Sequence, residues 1–394
     1  MGLAVLDAVP FNAEPSSLPD LTAHYLTPKS LVFQRNHGPF VLLDESQSIP
    51  VTIESHISKR ISPRSLLLSE LRQREQVSST VTLQCAGNRR KEMSTQKHET
   101  EGLQWGSGTI ANCLWTGPLL APILQEMGIS LDQTVDAEER QRWENAHVEF
   151  VSDQVCQEDE RFASSIPLSE ILSGACPVML ALKMNSDDLP LEHGGPLRII
   201  APGLIGARSV KWLCRIHIRS KESQNFYMQY DYKKLPPCAD ADTKTDWMEK
   251  TPALAHFSLH SVITQPEPGS GVKSTVKVQG YATSGTGKRI ASVQIAIVTQ
   301  EEGASEDAIK DDAEKSDDWQ EATLVQDAGS DSQQWGWCLF SLDVNLEAHK
   351  AQSKIALISR ATLVDGTRQV KKAEWNLRGL EHCDWSVVRS ISIV

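Results

Sequence analysis

After about residue 255 the chain stops mixing element types and becomes a succession of strands. Five segments carry the change: "STVKVQGYA" (274–282), "ASVQIAIVT" (291–299), "WGWCLFSLDV" (335–344), "KIALISRATLV" (354–364) and "WSVVRSISIV" (385–394). Each contains an alternating stretch, with Val293, Ile295 and Ile297 falling on one face of theirs. A period of two gives each strand one apolar face, so such strands must pair and then stack sheet on sheet. With no helical period among them, they predict an immunoglobulin-like β-sandwich over residues 256–394. "TQPEPGSG" (264–271) punctuates its start. The acidic, polar stretch 301–334 interrupts the strands, and its composition predicts a solvated loop between them rather than an interaction tail.

Residues 1–255 read differently. "PRSLLLSELRQ" (63–73), "GPLLAPILQEMG" (117–128) and "IPLSEILSG" (166–174) space their apolar residues three and four apart, as short helices do. "STVTLQC" (79–85) and "PLRIIAP" (196–202) read as short strands bounded by turn residues. The expected class is therefore α+β: a mixed α/β domain followed by an all-β one.

A length of 394 residues is long for one core and fits this division. A net charge of −12 argues against a general nucleic-acid binder, which needs an excess of Lys and Arg. Apolar runs such as "VMLAL" (178–182) are too short to span a bilayer, so no membrane association is expected. The N-terminal stretch has neither a basic leader nor the Arg-rich character of a transit peptide, and a cytoplasmic location is expected. The eight cysteines contain no C-x-x-C pair, so most should be buried free thiols.

One of those cysteines has an unusual setting. "TLQCAGNRR" places Cys85 at the end of an apolar run, before a small turn and the pair Arg89 and Arg90. Neighbouring guanidinium groups favour thiolate over thiol, and a thiolate can bind a metal or an electrophile. Taken alone, Cys85 reads more readily as an inert core thiol. "FQRNHGPF" (33–40) offers an arginine, an amide and an imidazole in succession, the donors that suit an oxyanion. "EHGGPLRIIAPGLIGARSVKW" (192–212) sets glycines beside basic and hydroxyl residues. That mixture can cradle a phosphate but matches no nucleotide-binding motif, and solvent-facing basic residues explain it equally well.

Read together and in order, "RNH", "CAGNRR", "HGGPLR…PGLIGARSVKWL", "DYK" and "WNLRG" resemble the sulfite oxidase family of molybdenum-cofactor enzymes. The resemblance runs from Phe33 to Arg378. It implies molybdenum-dependent oxidation of sulfite to sulfate, with Cys85 as the protein's thiolate ligand to the metal of a molybdenum-molybdopterin cofactor. It implies that Arg35 and Arg90 face the bound oxyanion, beside Trp105 of "GLQWGSG", Tyr232 of "DYK" and Arg378 of "WNLRG". Cofactor contacts are implied for Phe33, Gln34, Arg35, Asn36, His37, His193, Arg198, Ser209, Val210 and Lys211, with Asp153 as the candidate aspartate. Pairing through the C-terminal sandwich into a homodimer is implied as well. The match begins close to residue 1, so the compact plant-type form without a haem domain is expected, its electrons going to oxygen or a separate cytochrome-like carrier. Two alternatives stand beside it: a nitrate-reductase-type molybdoenzyme, and a cofactor-free interaction protein on the same scaffold. Tyr232 and Arg378 favour sulfite over nitrate.

Overall fold

The structure, a computed structural model, describes residues 2–41, 50–96, 99–327, 333–349 and 353–394. It is α+β, as the patterning requires. In the N-terminal part a five-stranded mixed sheet runs in the order Arg64–Leu66, Val51–Ser55, Leu213–Arg219, His147–Val155, Arg161–Pro167. Val51–Ser55 and Leu213–Arg219 pair in parallel, and the other neighbours are antiparallel. A four-stranded sheet of Asp187–Asp188, Lys183–Met184, Ile110–Gly117 and Val77–Gln84 lies apart from it. Phe150, Ile166 and Ile216 of the first sheet share a core with Leu120 and Leu124 of helix Leu120–Glu126 and with Trp143 of helix Ala137–Glu144.

The segment 63–73, expected as one helix, divides. Arg64–Leu66 is an edge strand paired with Val51–Ile53, and the helix occupies only Leu68–Gln73. Pro63 disfavours helical backbone in the residue before it, and the free edge of Val51–Ser55 offers the following residues a ladder of hydrogen bonds.

The C-terminal part is a two-sheet sandwich. One sheet orders His260–Gln265, Thr275–Thr283, Cys338–Asn345 and Thr323–Val325. The other orders Gly271–Val272, Ser386–Ile393, Lys354–Leu363, Ile290–Thr299 and Gln320–Glu321. Val278, Phe340, Val293, Ile295, Leu357 and Ile391 fill the space between them.

The stretch 301–334 is not the solvated loop its composition suggested. Glu306–Lys315 is a helix, N-capped by the Ser305 hydroxyl and carrying Glu306 and Asp307 in its first turn. Ile309 and Ala313, one turn apart, pack over Ala296, Ala356 and Ile358 on the outer face of the five-stranded sheet. Gln320–Glu321 and Thr323–Val325 then extend the edges of both sheets. Two apolar residues among so many acids are too few to show as a period, yet they suffice when a sheet face waits for them. Residues 328–332 of the stretch lie outside the described residues.

The two parts meet through polar groups without access to water. Arg89 donates to the Asp384 carbonyl at 2.8 Å and lies 3.3 Å from the Asp384 carboxylate. Lys310, on the acidic helix, donates to the same carboxylate at 2.6 Å, and His382 Nε2 lies 2.9 Å from it. All four side chains are buried. Nearby, Gly203 and Gly285 approach so closely that a Cβ on either would fall 2.3 Å from the other's carbonyl oxygen. Replacing Asp384 with Ala should leave Arg89 to Glu92 and Lys310 to Glu306 alone and destabilise the protein by about 1–3 kcal/mol, measured as a fall in the denaturant midpoint.

Candidate active site

Strand Val77–Gln84 delivers Cys85. The run Val81–Gln84 is fully buried, and the Cys85 amide continues the pairing by donating to the Thr109 carbonyl at 2.9 Å. The chain then turns tightly: Asn88 N–H donates to the Cys85 carbonyl and Arg90 N–H to that of Gly87, both at 3.0 Å. Arg89 adopts a positive φ of 66°. That turn splits the arginine pair. Arg89 goes to Glu92 and Asp384, away from the thiol, while Arg90 is held by the Arg378 carbonyl at 2.9 Å and the Leu103 carbonyl at 2.8 Å. A Cβ at position 87 would lie 2.7 Å from the Arg90 guanidinium and 3.2 Å from the Trp105 ring, so a side chain there would displace Arg90.

Cys85 opens into a cavity at the end of its strand. Ten of the sixteen residues named from the sequence line it: Phe33, Arg35, His37, Cys85, His193, Arg198, Ser209, Val210, Lys211 and Tyr232. Segments more than a hundred residues apart in sequence therefore converge on one space.

One wall is cationic and buried. Arg198 donates to the His193 carbonyl at 2.7 Å and the Ser209 carbonyl at 2.8 Å, and its Nε has no hydrogen-bond partner among the described residues. The Ser209 hydroxyl is taken by the Ala201 amide at 3.0 Å. Burial lowers Arg198 to about 9. Burial, with Arg198 and Arg35 nearby, puts Lys211 well below its ordinary value. Burial, then Lys211 and Arg198, lowers His193 to about 3. Cations that depress one another in this way are short of an anion.

At the opposite end, His37 Nε2 lies 2.7 Å from the Tyr232 hydroxyl, and its ring stacks on Phe162 at 4.5 Å. Burial and Arg35 lower His37 to about 3, so it is neutral at physiological pH. Burial raises the Tyr232 phenol. Burial works against the charge on Arg35, but Tyr232, Asp231 and Cys85 outweigh it and raise its pKa.

Six named residues stand outside the lining. Gln34 pairs through its backbone with Ala13, and Asn36 supports the wall by accepting from the Lys211 ammonium group. Arg90 and Trp105 flank Gly87 behind the thiol. Arg378 reaches in from the C-terminal part and bonds Asp231, whose other oxygen lies 3.7 Å from His37 Nε2. Asp153 is the exception. Strand alternation turns Ser152 and Gln154 to the cavity, whereas the Asp153 carboxylate faces away and is held by Arg161. Ser152 or Gln154, not Asp153, is the residue of that strand in a position to touch a ligand.

The expectation that the arginine pair holds Cys85 ionised is also corrected. Burial raises the thiol, and Arg90, Arg35 and the Gly87 amide oppose that only in part. Arg89 takes no part. A bound metal cation would complete the ionisation, since coordination deprotonates a thiol outright.

Asp231 was missed by sequence reasoning. Burial opposes its charge, but His37, Arg378 and Arg35 hold it well below the ordinary carboxylate range. Its only sequence signal is its place beside Tyr232 in "YDYKK".

A single soft sulfur, a buried cationic wall and an unpartnered guanidinium N–H fit an anionic metal cofactor. Together with the fold, they define a molybdopterin-binding oxidoreductase. Residues 37–227 match the oxidoreductase molybdopterin binding domain, and residues 251–392 match the Mo-co oxidoreductase dimerisation domain. The chain is 36% identical to the sulfite oxidase of Arabidopsis thaliana over 391 residues, 95% of this chain and 90% of that one. It is 34% identical to the mitochondrial sulfite oxidase of Rattus norvegicus, covering 95% of this chain and 63% of that longer protein. Nitrate reductase [NADPH] of Aspergillus niger is 29% identical, covering 95% of this chain and 43% of that one. Among solved structures, the sulfane dehydrogenase SoxCD from Paracoccus pantotrophus shares the fold with a TM-score of 0.72, 22% identity and coverage of 97% and 84%. The chain belongs to the sulfite oxidase family, whose cofactor is molybdenum-molybdopterin.

Arg198→Met keeps most of the buried volume while removing the guanidinium, with its unpartnered Nε, that the resemblance implies for cofactor binding. The variant should fold but retain well under one molybdenum per chain, as read by elemental analysis.

Proposed function

We propose that this protein oxidises sulfite to sulfate at a molybdenum-molybdopterin centre held by Cys85. The observation that carries this reading is the convergence of Cys85, Arg35 and Tyr232 on one buried cavity, with Arg90 and Arg378 immediately behind it. When bound, the cofactor supplies the two-electron redox couple. Cys85 would be its protein ligand, and Arg198, His193, Ser209 and Lys211 would hold its anionic end.

The chain's own residues handle the substrate. Sulfite is small and strongly hydrated, and charged donors must replace its water. Arg35 supplies such a donor, and Arg90 and Arg378 add to the local positive potential although the whole molecule is acidic. Tyr232 remains a phenol and can donate to a bound oxygen, with His37 fixing its hydroxyl. Asp231 keeps Arg378 and His37 in place and limits the net charge of the pocket.

Retention of Tyr232 and Arg378 supports sulfite over nitrate, and so does the higher identity to the sulfite oxidases. A buried thiol facing a cationic cavity disfavours a cofactor-free interaction protein. Oxygen or a separate carrier as electron acceptor rests on the likeness to the plant sulfite oxidase. The dimerisation-domain match supports a homodimer through the sandwich.

Purified, molybdenum-loaded protein should bleach ferricyanide when sulfite is added. Turnover of nitrate with a dye donor and none of sulfite would reverse the assignment. Cys85→Ser should abolish sulfite turnover and leave the denaturant midpoint nearly unchanged; a variant with the parent rate would exclude thiolate ligation. Light scattering at micromolar concentration should give twice the chain mass of 43.6 kDa, and a single-chain mass would refute the dimer.

A further inference from the structure

A second cluster of ligating side chains lies on the N-terminal mixed sheet, away from the cavity. Strand Leu213–Arg219 leaves the cofactor wall just after Lys211, and His217 is six residues along from that lysine. At the rise of an extended chain this is roughly 20 Å. The register sets His217 directly opposite Glu54 on one neighbouring strand and opposite Glu149 on the other. Glu54 and His56, two residues apart, share a face, and the His56 amide continues the pairing by donating to the Ile218 carbonyl at 2.9 Å.

Glu54, His56 and His217 each offer a ligand atom, and these atoms lie within 4.8 Å of one another. His56 Nε2 is 3.7 Å from Glu54 Oε2, and the two imidazole rings are 4.7 Å apart centre to centre. Ligands about 2.1 Å from a tetrahedral zinc ion stand roughly 3.4 Å from each other, so small side-chain rotations close the set.

A second, independent feature points the same way. Glu149, buried at 5% exposure, lies 3.2 Å from His217 Nδ1. It is fixed in turn by the Ser223 hydroxyl and by Arg219. A carboxylate on one ring nitrogen orients a histidine and leaves the other nitrogen to a metal, which is the outer-shell arrangement of metal-ligating imidazoles. Arg219 offsets the charge of Glu149, so the added positive charge of an ion is met chiefly by Glu54.

We propose that Glu54, His56 and His217, oriented by Glu149, form a binding site for zinc or another borderline divalent ion, distinct from the molybdenum site. Two imidazoles and one carboxylate select such ions over magnesium or calcium. Three protein ligands leave a coordination position, and the exposure of His56 and Glu54 opens it to solvent.

The test uses molybdenum-loaded protein stripped of loosely held metal by a chelator and desalted. Zn²⁺ is titrated by calorimetry and Co²⁺ by its visible absorption. The parent should take up one ion per chain. His56→Ala and Glu54→Gln, at exposed positions, should each weaken binding at least tenfold with molybdenum content and thermal midpoint unchanged. Glu149→Gln should weaken it about 10–100-fold through the orientation of His217. Failure of the parent to bind an ion stoichiometrically would overturn the site, as would titration curves for His56→Ala and Glu54→Gln that superimpose on the parent's.

Discussion

The cavity is organised around positive charge that the protein does not itself neutralise. Arg198, Lys211, Arg35 and His193 line one space, and burial lowers three of the four. Gathering cations away from water is unfavourable unless an anion shares the site. The fold therefore keeps a free-energy deficit that an anionic cofactor and an oxyanion substrate can relieve. Asp231, beside the cavity, is committed to Arg378 and His37 rather than to the wall.

Cys85 adds the element of chemistry that charge alone lacks. Its loop is defined from three directions: by the sheet through Thr109, by Gly87 packed against Arg90 and Trp105, and by the C-terminal part. The third is the least expected. Asn88 donates to the Tyr281 hydroxyl at 3.1 Å, and Arg89 runs into the buried carboxylate of Asp384, which also takes Lys310. The residue next to Arg90 is thus anchored in the sandwich and its acidic helix. Only three residues separate Cys85 from Arg89, so this interface lies close to the thiol along the chain.

Much of this was legible in the sequence because it rests on local signals. Alternation at Val293 and Ile295 sufficed for the sandwich, since one apolar face per strand has few other solutions. The cavity could be assembled because its residues sit in short, dense clusters such as "FQRNH" and "ARSVKW". Where prediction failed, the deciding partner was distant. Helix Glu306–Lys315 is fixed by Ile309 and Ala313 meeting Ala296 and Ile358 across the sheet, and acidic composition conceals that contact. Asp153 fell on the wrong face of its strand because a one-residue displacement exchanges inside for outside. Arg89 and Arg90 look equivalent in sequence, yet Arg89, at positive φ, turns to Asp384 at the interface while Arg90 stays beside Cys85.

The same sheet carries the second cluster by a different route. Glu54, His217 and Glu149 occupy adjoining strands at one register level, a relation that no pairwise spacing in the sequence reveals. The inner face of these strands holds Ile53, Ile216 and Phe150 in the core, so the outer face was free to collect ionisable groups. Glu149 is nonetheless withdrawn from solvent and hydrogen-bonded on both oxygens, which is more structure than a solvated surface carboxylate requires. Holding it there fixes the Nδ1 side of His217 and leaves its Nε2 free of that carboxylate. The strand that supports the cofactor wall at its start thus bears, at its far end, the imidazole on which the proposed second metal site depends.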